Sequence, residues 1–404
     1  MINLQTLSDF VLYENDGSRI KELGKSENLH GSLQISGLGY VKEVSDVLEG
    51  NLKNRRNLTE LILRWNDEAS DSIKEREVLN AFQPHENLKK LEILNYNGTN
   101  LPDWVTHPSY FNLEKLHLVS KNCCLSLLSF RLLSSLRHLY ISCLDMHDEF
   151  CGISLNMPFP LLEVLKLEGI SRLDWSFTNT DGQKCEIFPC LKQFSLRSCG
   201  KINVALPIGN FPSLEYIDIR KCGDLVTIFP LSTHIDVAYP SLEWLNIDGC
   251  SRLESFSKMG LPFFLKSLRI ISCNMLKENR MKWNLQRLPS LIELDLKNYG
   301  GVVDSFPEEW FLPPSLTHLW IHGFDKLTAL NGKSFHHLTS LRQLKLYYLK
   351  KLECLPAEGL PQTLTALMIA SCSLLELRCK EGTREDWPKI QHIPNLNTDH
   401  WYAT

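Results

Sequence analysis

Apolar residues recur along this chain at the spacing L-x-x-L-x-L, with polar residues between them. Thirteen such triplets begin at Leu58, Leu88, Leu113, Leu136, Leu162, Leu191, Leu214, Leu242, Leu265, Leu291, Leu316, Leu341 and Leu364, at intervals of 23 to 30 residues. A looser unit with Leu29, Leu33 and Ile35 precedes them. The cleanest copy is 211–225, FPSLEYIDIRKCGDL, and 239–253, YPSLEWLNIDGCSRL, repeats its order. Each triplet reads as a short strand. Alternation along a strand turns Ile217 and Ile219 inward and Tyr216, Asp218 and Arg220 outward.

A period in the twenties on this frame predicts a curved leucine-rich-repeat solenoid, an α/β repeat fold. Its concave face is a parallel β-sheet, and its convex side is irregular or carries short helices. About 14 repeats fill residues 1–380, and 381–404 form a C-terminal cap and tail. Proline just before the strand (Pro212, Pro240, Pro289, Pro314) marks a corner, because proline cannot donate to a central ladder. Cys199, Cys222, Cys250, Cys273 and Cys372 each fall eight residues after a first leucine. There a small thiol can pack in the turn and give a weak hydrogen bond to a carbonyl.

Two segments interrupt the rhythm. Residues 72–82, SIKEREVLNAF, open on the capping-box pair Ser72 and Glu75 and carry Ile73, Val78, Leu79 and Phe82 as an apolar set, which predicts a convex-side helix. Residues 44–52 are read as a similar helix. Residues 178–186, TNTDGQKCE, are a polar loop that lengthens one repeat. Past Arg378 the pattern stops, and Trp387, Ile390 and Ile393 are left to cover the last coil. The final residues from Asn397 on are expected to fray.

With 43 basic and 47 acidic side chains the formal charge is −4. That leaves no cationic excess for sequence-independent binding to nucleic acid. The 13 cysteines form no C-x-x-C, so they read as buried thiols in a reducing compartment. The start has neither a basic n-region nor an uninterrupted apolar run, and no stretch is long and apolar enough to span a membrane. The expectation is a cytoplasmic protein. Gly24-Lys25-Ser26 and Gly332-Lys333-Ser334 lack the earlier glycine of a phosphate loop, where Arg19 and Leu327 stand. No cofactor is expected, and no enzyme motif is present.

Fourteen strands at about 4.8 Å would present on the order of 1,000 Å² of concave face, one side of a standard protein–protein interface. Such a face is too shallow for a small-molecule pocket, so the expected partner is a protein. Its outward positions include Tyr140, Tyr216, Arg220, Trp244, Asp248, Arg269, His318, Trp320, His322, Lys345 and Tyr347. Exposed aromatics beside arginines are the stuff of interface hot spots. The competing reading is that they pack across adjacent strands and stabilise the sheet. His318 and His322 lie about 13 Å apart along a strand, too far for one metal ion. Lys53, Arg55, Arg56, Lys89 and Lys90 form either a solvated edge or a surface for docking an acidic face of another module.

The blocks LQTLSDFV, LHGSLQISGLGYV, EREVLNAFQPHENLKKLEI and the terminal DWPKIQHIP resemble the leucine-rich-repeat region of plant intracellular immune receptors of the coiled-coil, nucleotide-binding class. The resemblance covers essentially the whole chain. It implies recognition of a pathogen effector or a guarded host protein, and restraint of a nucleotide-binding module at rest. The coiled-coil and nucleotide-binding domains are absent from this sequence, so ATP or ADP binding is not carried over. An alternative is the substrate-recognition part of a ubiquitin-ligase adaptor, which also uses cysteine-bearing repeats but calls for an F-box. An extracellular ectodomain or an enzyme fits less well.

Overall fold

In a computed structural model the described residues are 7–398, except 8, 27, 67–70, 99, 122–129, 131, 144–151, 155–158, 175–187, 231–233, 279, 299–303 and 383–384. They form two compact units. The first is Met1–Ile202 with Gly209–Phe211, and the second is Asn203–Ile208 with Pro212–Thr404. Each is a stack of short parallel strands from successive repeats, as the spacing predicts. The loop at 178–186 lies outside the described residues.

In the first unit the strands Asp9–Val11, Gly31–Ser36, Leu58–Arg64, Lys90–Tyr96, Lys115–Ser120, His138–Cys143, Val164–Glu168 and Gln193–Arg197 pair in chain order, all parallel. In the second, Tyr216–Arg220, Trp244–Asp248, Ser267–Ile271, Glu293–Lys297, His318–His322, Gln343–Tyr347, Ala366–Ala370 and Asn395–Asn397 do the same. Three of these strands lack a full leucine triplet: Gly31–Ser36 carries the looser unit, while Asp9–Val11 and Asn395–Asn397 are not revealed by the sequence pattern.

The register explains the core. Ile217, Leu245, Leu268, Leu294, Leu319, Leu344 and Leu367 are direct cross-strand neighbours, and none is more than 1% exposed. Leu61, Leu91, Leu116, Leu139 and Leu165 make the same seam in the first unit. A single aliphatic column of this kind lets each coil bury its apolar edge only against its neighbours.

In most coils the chain leaves the sheet through one unusual residue. Seven positions after the first leucine, Asn95, Gly169, Ser198, Lys221, Gly249, Ser272, Asn298, Gly323, Tyr348 and Ser371 all have positive φ. This left-handed residue swings the chain off the strand and drops the next side chain into the core. In five of these coils that side chain is the recurrent cysteine. Cys199, Cys222, Cys250, Cys273 and Cys372 are at most 2% exposed. Each thiol donates to the carbonyl two residues earlier, as Cys273 Sγ does to Ile271 at 3.2 Å and Cys222 Sγ to Arg220 at 3.4 Å. Thiol–thiol contacts with Cys222 and Cys273, together with burial, push the Cys250 thiol far up, and burial pushes Cys372 up to about 12. These groups stay protonated and structural. The corner serines tie successive coils together: Ser241 Oγ donates to Pro212 O at 2.6 Å and Ser315 Oγ to Leu291 O at 2.8 Å.

Both expected helices are present, at Val44–Gly50 and Ser72–Phe82. The second differs from expectation in two respects. Its cap is Asp71, whose carboxylate accepts from the Ile73 N–H at 2.9 Å and the Lys74 N–H at 3.4 Å, and Ile73 is 70% exposed. Val78, Leu79 and Phe82 are buried. Glu75 is buried too, because it serves the next coil: its carboxylate accepts from the Asn97 N–H at 2.6 Å. Burial pushes this carboxyl up to about 7, against the opposing pull of that N–H and of Lys121. A folded-state pKa above the unfolded one means that stability is fully present below the unfolded value and is lost as pH rises toward about 7. Glu75→Gln keeps an acceptor for Asn97 but cannot ionise. Urea midpoints should therefore fall for the native chain between about pH 5 and about pH 8 relative to this variant. Parallel pH profiles for the two proteins would refute the assignment.

Candidate functional site

The outward face of the second unit carries three rows of side chains set by the strand register. The central row runs Asp218, Asn246, Arg269, Asp295, Trp320, Lys345, Met368 and Asn397. One edge row runs from Tyr216 and Trp244 to Glu293, His318 and Gln343, and the other from Arg220 and Asp248 to Lys297, His322 and Tyr347. Ten of the residues singled out from the sequence lie on these rows. The eleventh, Tyr140, occupies the same kind of position in the first unit.

Much of the central row is packed. Asp218 is 6% exposed, and its carboxylate accepts from Arg220 Nε at 2.9 Å and from Asn246. Asp295 is 4% exposed, 3.1 Å from Arg269 Nε and 3.6 Å from Lys297 Nζ. Burial raises its carboxyl above the usual range, opposed by Lys297 and Arg269. Arg220 and Arg269 therefore stand tethered at the surface and keep part of each guanidinium open. The aromatics interlock as well. Lys345 Nζ sits 4.5 Å over the Trp320 ring and Lys266 Nζ 5.9 Å over Trp244. The Tyr347 hydroxyl reaches Met368 Sδ at 3.5 Å. Trp244 is the most open of the candidates, at 40% exposure. The cross-strand packing and the exposed edges thus coexist in the same side chains.

On the first unit the corresponding row is Glu92, His117, Tyr140, Lys166 and Ser195. His117 meets Tyr140 edge-on at 4.5 Å, and Lys166 lies 5.6 Å over the same ring. Burial lowers the His117 imidazole below its ordinary range, against the pull of Glu92 at 3.6 Å.

The basic set separates. Lys53, Arg56 and Lys89 are exposed. Arg55 is not a surface residue: it is 4% exposed and donates at 2.9 Å to both the Leu23 and Gly24 carbonyls, tying the Gly17–Lys25 segment to the next coil. Its guanidinium is committed to the interior and cannot dock anything. Lys90 is held on the sheet by Glu92 at 2.9 Å and Glu60 at 3.7 Å.

His318 and His322 cap opposite ends of one strand. Among the described residues no cluster of three or more His, Cys, Asp or Glu could hold a metal ion. No helix among them is long and apolar enough to cross a membrane. The sequence reading missed Asn246, Asp295, Lys297 and Met368, although they share the outward phase of the residues it chose. Selecting aromatic side chains and a few charged neighbours passed over Asn246 and Met368, and spacing gave nothing to single out Asp295 or Lys297. Tyr348 was missed for a different reason, since it follows the strand and lies outside the outward phase of the triplet.

A family model for R13L1/DRL21 leucine-rich repeats matches residues 20–144. The disease-resistance protein RGA4 of Solanum bulbocastanum is 30% identical over 412 aligned residues, covering 98% of this chain and 37% of that protein. The RPP13-like disease-resistance protein 1 of Arabidopsis thaliana is 30% identical over 218 residues, 49% of this chain and 20% of its own length. The chain thus spans between a fifth and two fifths of these relatives. A solved leucine-rich-repeat protein of Leptospira interrogans aligns over 85% of this chain and 88% of its own, with TM-score 0.36 and 17% identity.

Proposed function

Because these leucine-rich repeats are of the plant disease-resistance type, we propose that they form the protein-recognition part of an intracellular immune receptor. The outward rows of the second unit grip a pathogen effector or a guarded host protein in the cytoplasm. The exposed Lys53, Arg56 and Lys89 face an acidic surface of a nucleotide-binding module and help hold it at rest. Residues 1–380 serve as the recognition solenoid and 381–404 as its cap. The observation that carries this reading is the register itself. It sets aromatic, charged and amide side chains in rows across the parallel strands, with Trp244, Arg220 and Arg269 partly open to solvent. Tryptophan and arginine dominate interface energetics where they can be fully covered. No catalysis is assigned, because an open sheet face lacks the water-excluding cleft that catalysis uses.

The test is co-precipitation of the full chain with pathogen proteins co-expressed one at a time, and with the part of RGA4 that this chain does not match. Replacing Trp244 and Trp320 with Ala should abolish retention of a bound effector while leaving the unfolding transition cooperative. Reversing the charge of Lys53, Arg56 and Lys89 should weaken only the association with the RGA4 part. Effector retention that survives the tryptophan double variant would move the recognition site elsewhere.

A further inference from the structure

The outward face changes character toward the last coils. From His318 onward, the strands His318–His322, Gln343–Tyr347, Ala366–Ala370 and Asn395–Asn397 present no carboxylate at any outward position. They present Lys345, and the neighbouring strand adds Lys297, which lies 3.6 Å from the buried Asp295, with Glu293 at that strand's far end. Into this stretch opens a cleft of about 380 Å³, lined by Lys297, His322, Tyr347, Tyr348 and Met368. At ~30 Å³ per water that is room for about a dozen waters, enough for one large side chain. Burial holds the His322 imidazole below its ordinary range, with Lys297 pressing the same way against Asp295.

Tyr348 is the second, independent observation. It is the left-handed residue that ends its strand, at φ 54°. The nine other left-handed residues at this position are glycine, serine, asparagine or lysine, so among the described residues this is the one bulky aromatic that takes a positive φ there, Trp65 at the same place having none. A bulky side chain there is a backbone outlier, and such outliers gather at functional sites. The cost is not met by burial, because Tyr348 is 40% exposed. Its ring stacks on His322 at 4.9 Å and 15°, which makes it one wall of the cleft.

We propose that this cleft receives an aromatic side chain from an acidic segment of the partner protein, with the ring between Tyr348, His322 and Met368 and the flanking carboxylates on Lys297 and Lys345. The proposal rests on the recognition reading above and narrows it to one partner chemistry. A basic segment would place its charges on Lys345 and Lys297, where the nearest outward carboxylate, Asp295, is buried and already lies 3.6 Å from Lys297. A purely aliphatic segment would leave the lysines unused.

The test uses the full chain and a blocked pentapeptide with a central Phe and two Glu on each side, titrated by calorimetry at low salt. Saturable binding is expected. Binding should weaken at least about tenfold when the peptide's Phe becomes Ala, when its Glu become Lys, or when the chain carries Tyr348→Gly or Lys297→Ala. Tyr348→Gly relieves the left-handed strain, so its thermal midpoint should be equal or higher, and lost binding cannot be ascribed to unfolding. Equal affinity for the Lys peptide overturns the proposal, and so does an affinity unchanged by Tyr348→Gly. If the peptide binds but responds only to Trp244→Ala, the recognition reading stands and the cleft assignment falls. Absence of any peptide binding overturns the cleft assignment, while the effector co-precipitation decides the broader reading separately.

Discussion

Replacing Asp386 with Ala is expected to release the last coil of the second unit. Asp386 is fully buried, and its carboxylate takes hydrogen bonds from Lys389 Nζ at 2.7 Å, Arg378 Nε at 2.9 Å and the Leu355 N–H at 3.2 Å. Burial alone would raise its pKa, but the bonds from Lys389, Arg378 and Leu355 outweigh it and hold the carboxyl below the usual range. Removing one member of a buried charged network strands the others. The cost should sit near the low end for such deletions, about 3 kcal/mol, because Arg378 and Lys389 keep some contact with water. The Leu355 amide reports on it directly. At about 1.4 kcal/mol per tenfold, its hydrogen exchange should accelerate roughly a hundredfold. The depressed pKa also means that this contribution is present above the unfolded carboxylate pKa and is lost as pH falls through the lower folded value. Unchanged Leu355 exchange in Asp386→Ala would show that the carboxylate does not clamp the coil.

Gly169→Ala should be far more damaging than Gly249→Ala, although both glycines end a strand at nearly the same φ, 65° and 66°. The left-handed backbone alone costs an added Cβ about 1–2 kcal/mol at either site. At Gly249 that Cβ would find its nearest neighbour at 3.6 Å, the flexible Lys221 side chain. At Gly169 it would lie 1.9 Å from the Cys143 carbonyl oxygen, so backbone must move. The reason is local: His138–Cys143 runs one residue past its last register pair, Ser142 with Glu168, and lays its final carbonyl against the neighbouring turn. Forced overpacking adds about 1–3 kcal/mol, giving a total of roughly 2–5 kcal/mol for Gly169→Ala. Urea titration of the two variants reads the difference. Equal midpoints would mean that the strand end yields freely.

Much of this molecule is legible in its sequence because the fold is written at one short period. Leu214, Ile217 and Ile219 sit inward for the same reason in every coil, so a single aligned pair of repeats places all the strands between. Cys222 and Cys250 are readable by the same logic. What the pattern cannot convey is any contact made once. Arg55 looks like its exposed neighbours Lys53 and Arg56, yet only Arg55 finds the Leu23 and Gly24 carbonyls within reach. Asp71 displaces Ser72 as cap because the helix begins one residue earlier than the capping-box reading requires. The strand Asn395–Asn397 has a single aliphatic residue, and its pairing with Ala366–Met368 follows from the Asp386 clamp upstream more than from its own composition. On the outward face the phase was legible while the partners within it were not. Trp320 can be placed on the surface from spacing, but its capture under Lys345 depends on strand register.

The central claim is that the outward rows of the second unit, and not its loops, meet the partner. Hydroxyl-radical footprinting of the chain with and without a co-precipitated effector tests it most directly, because tryptophan, tyrosine and methionine side chains report their own access to solvent. Oxidation of Trp244, Trp320, Tyr348 and Met368 should fall sharply on binding, while Trp310, an exposed aromatic away from these strands, keeps its reactivity. Protection of Trp310 with Trp244 and Trp320 unchanged would contradict the account.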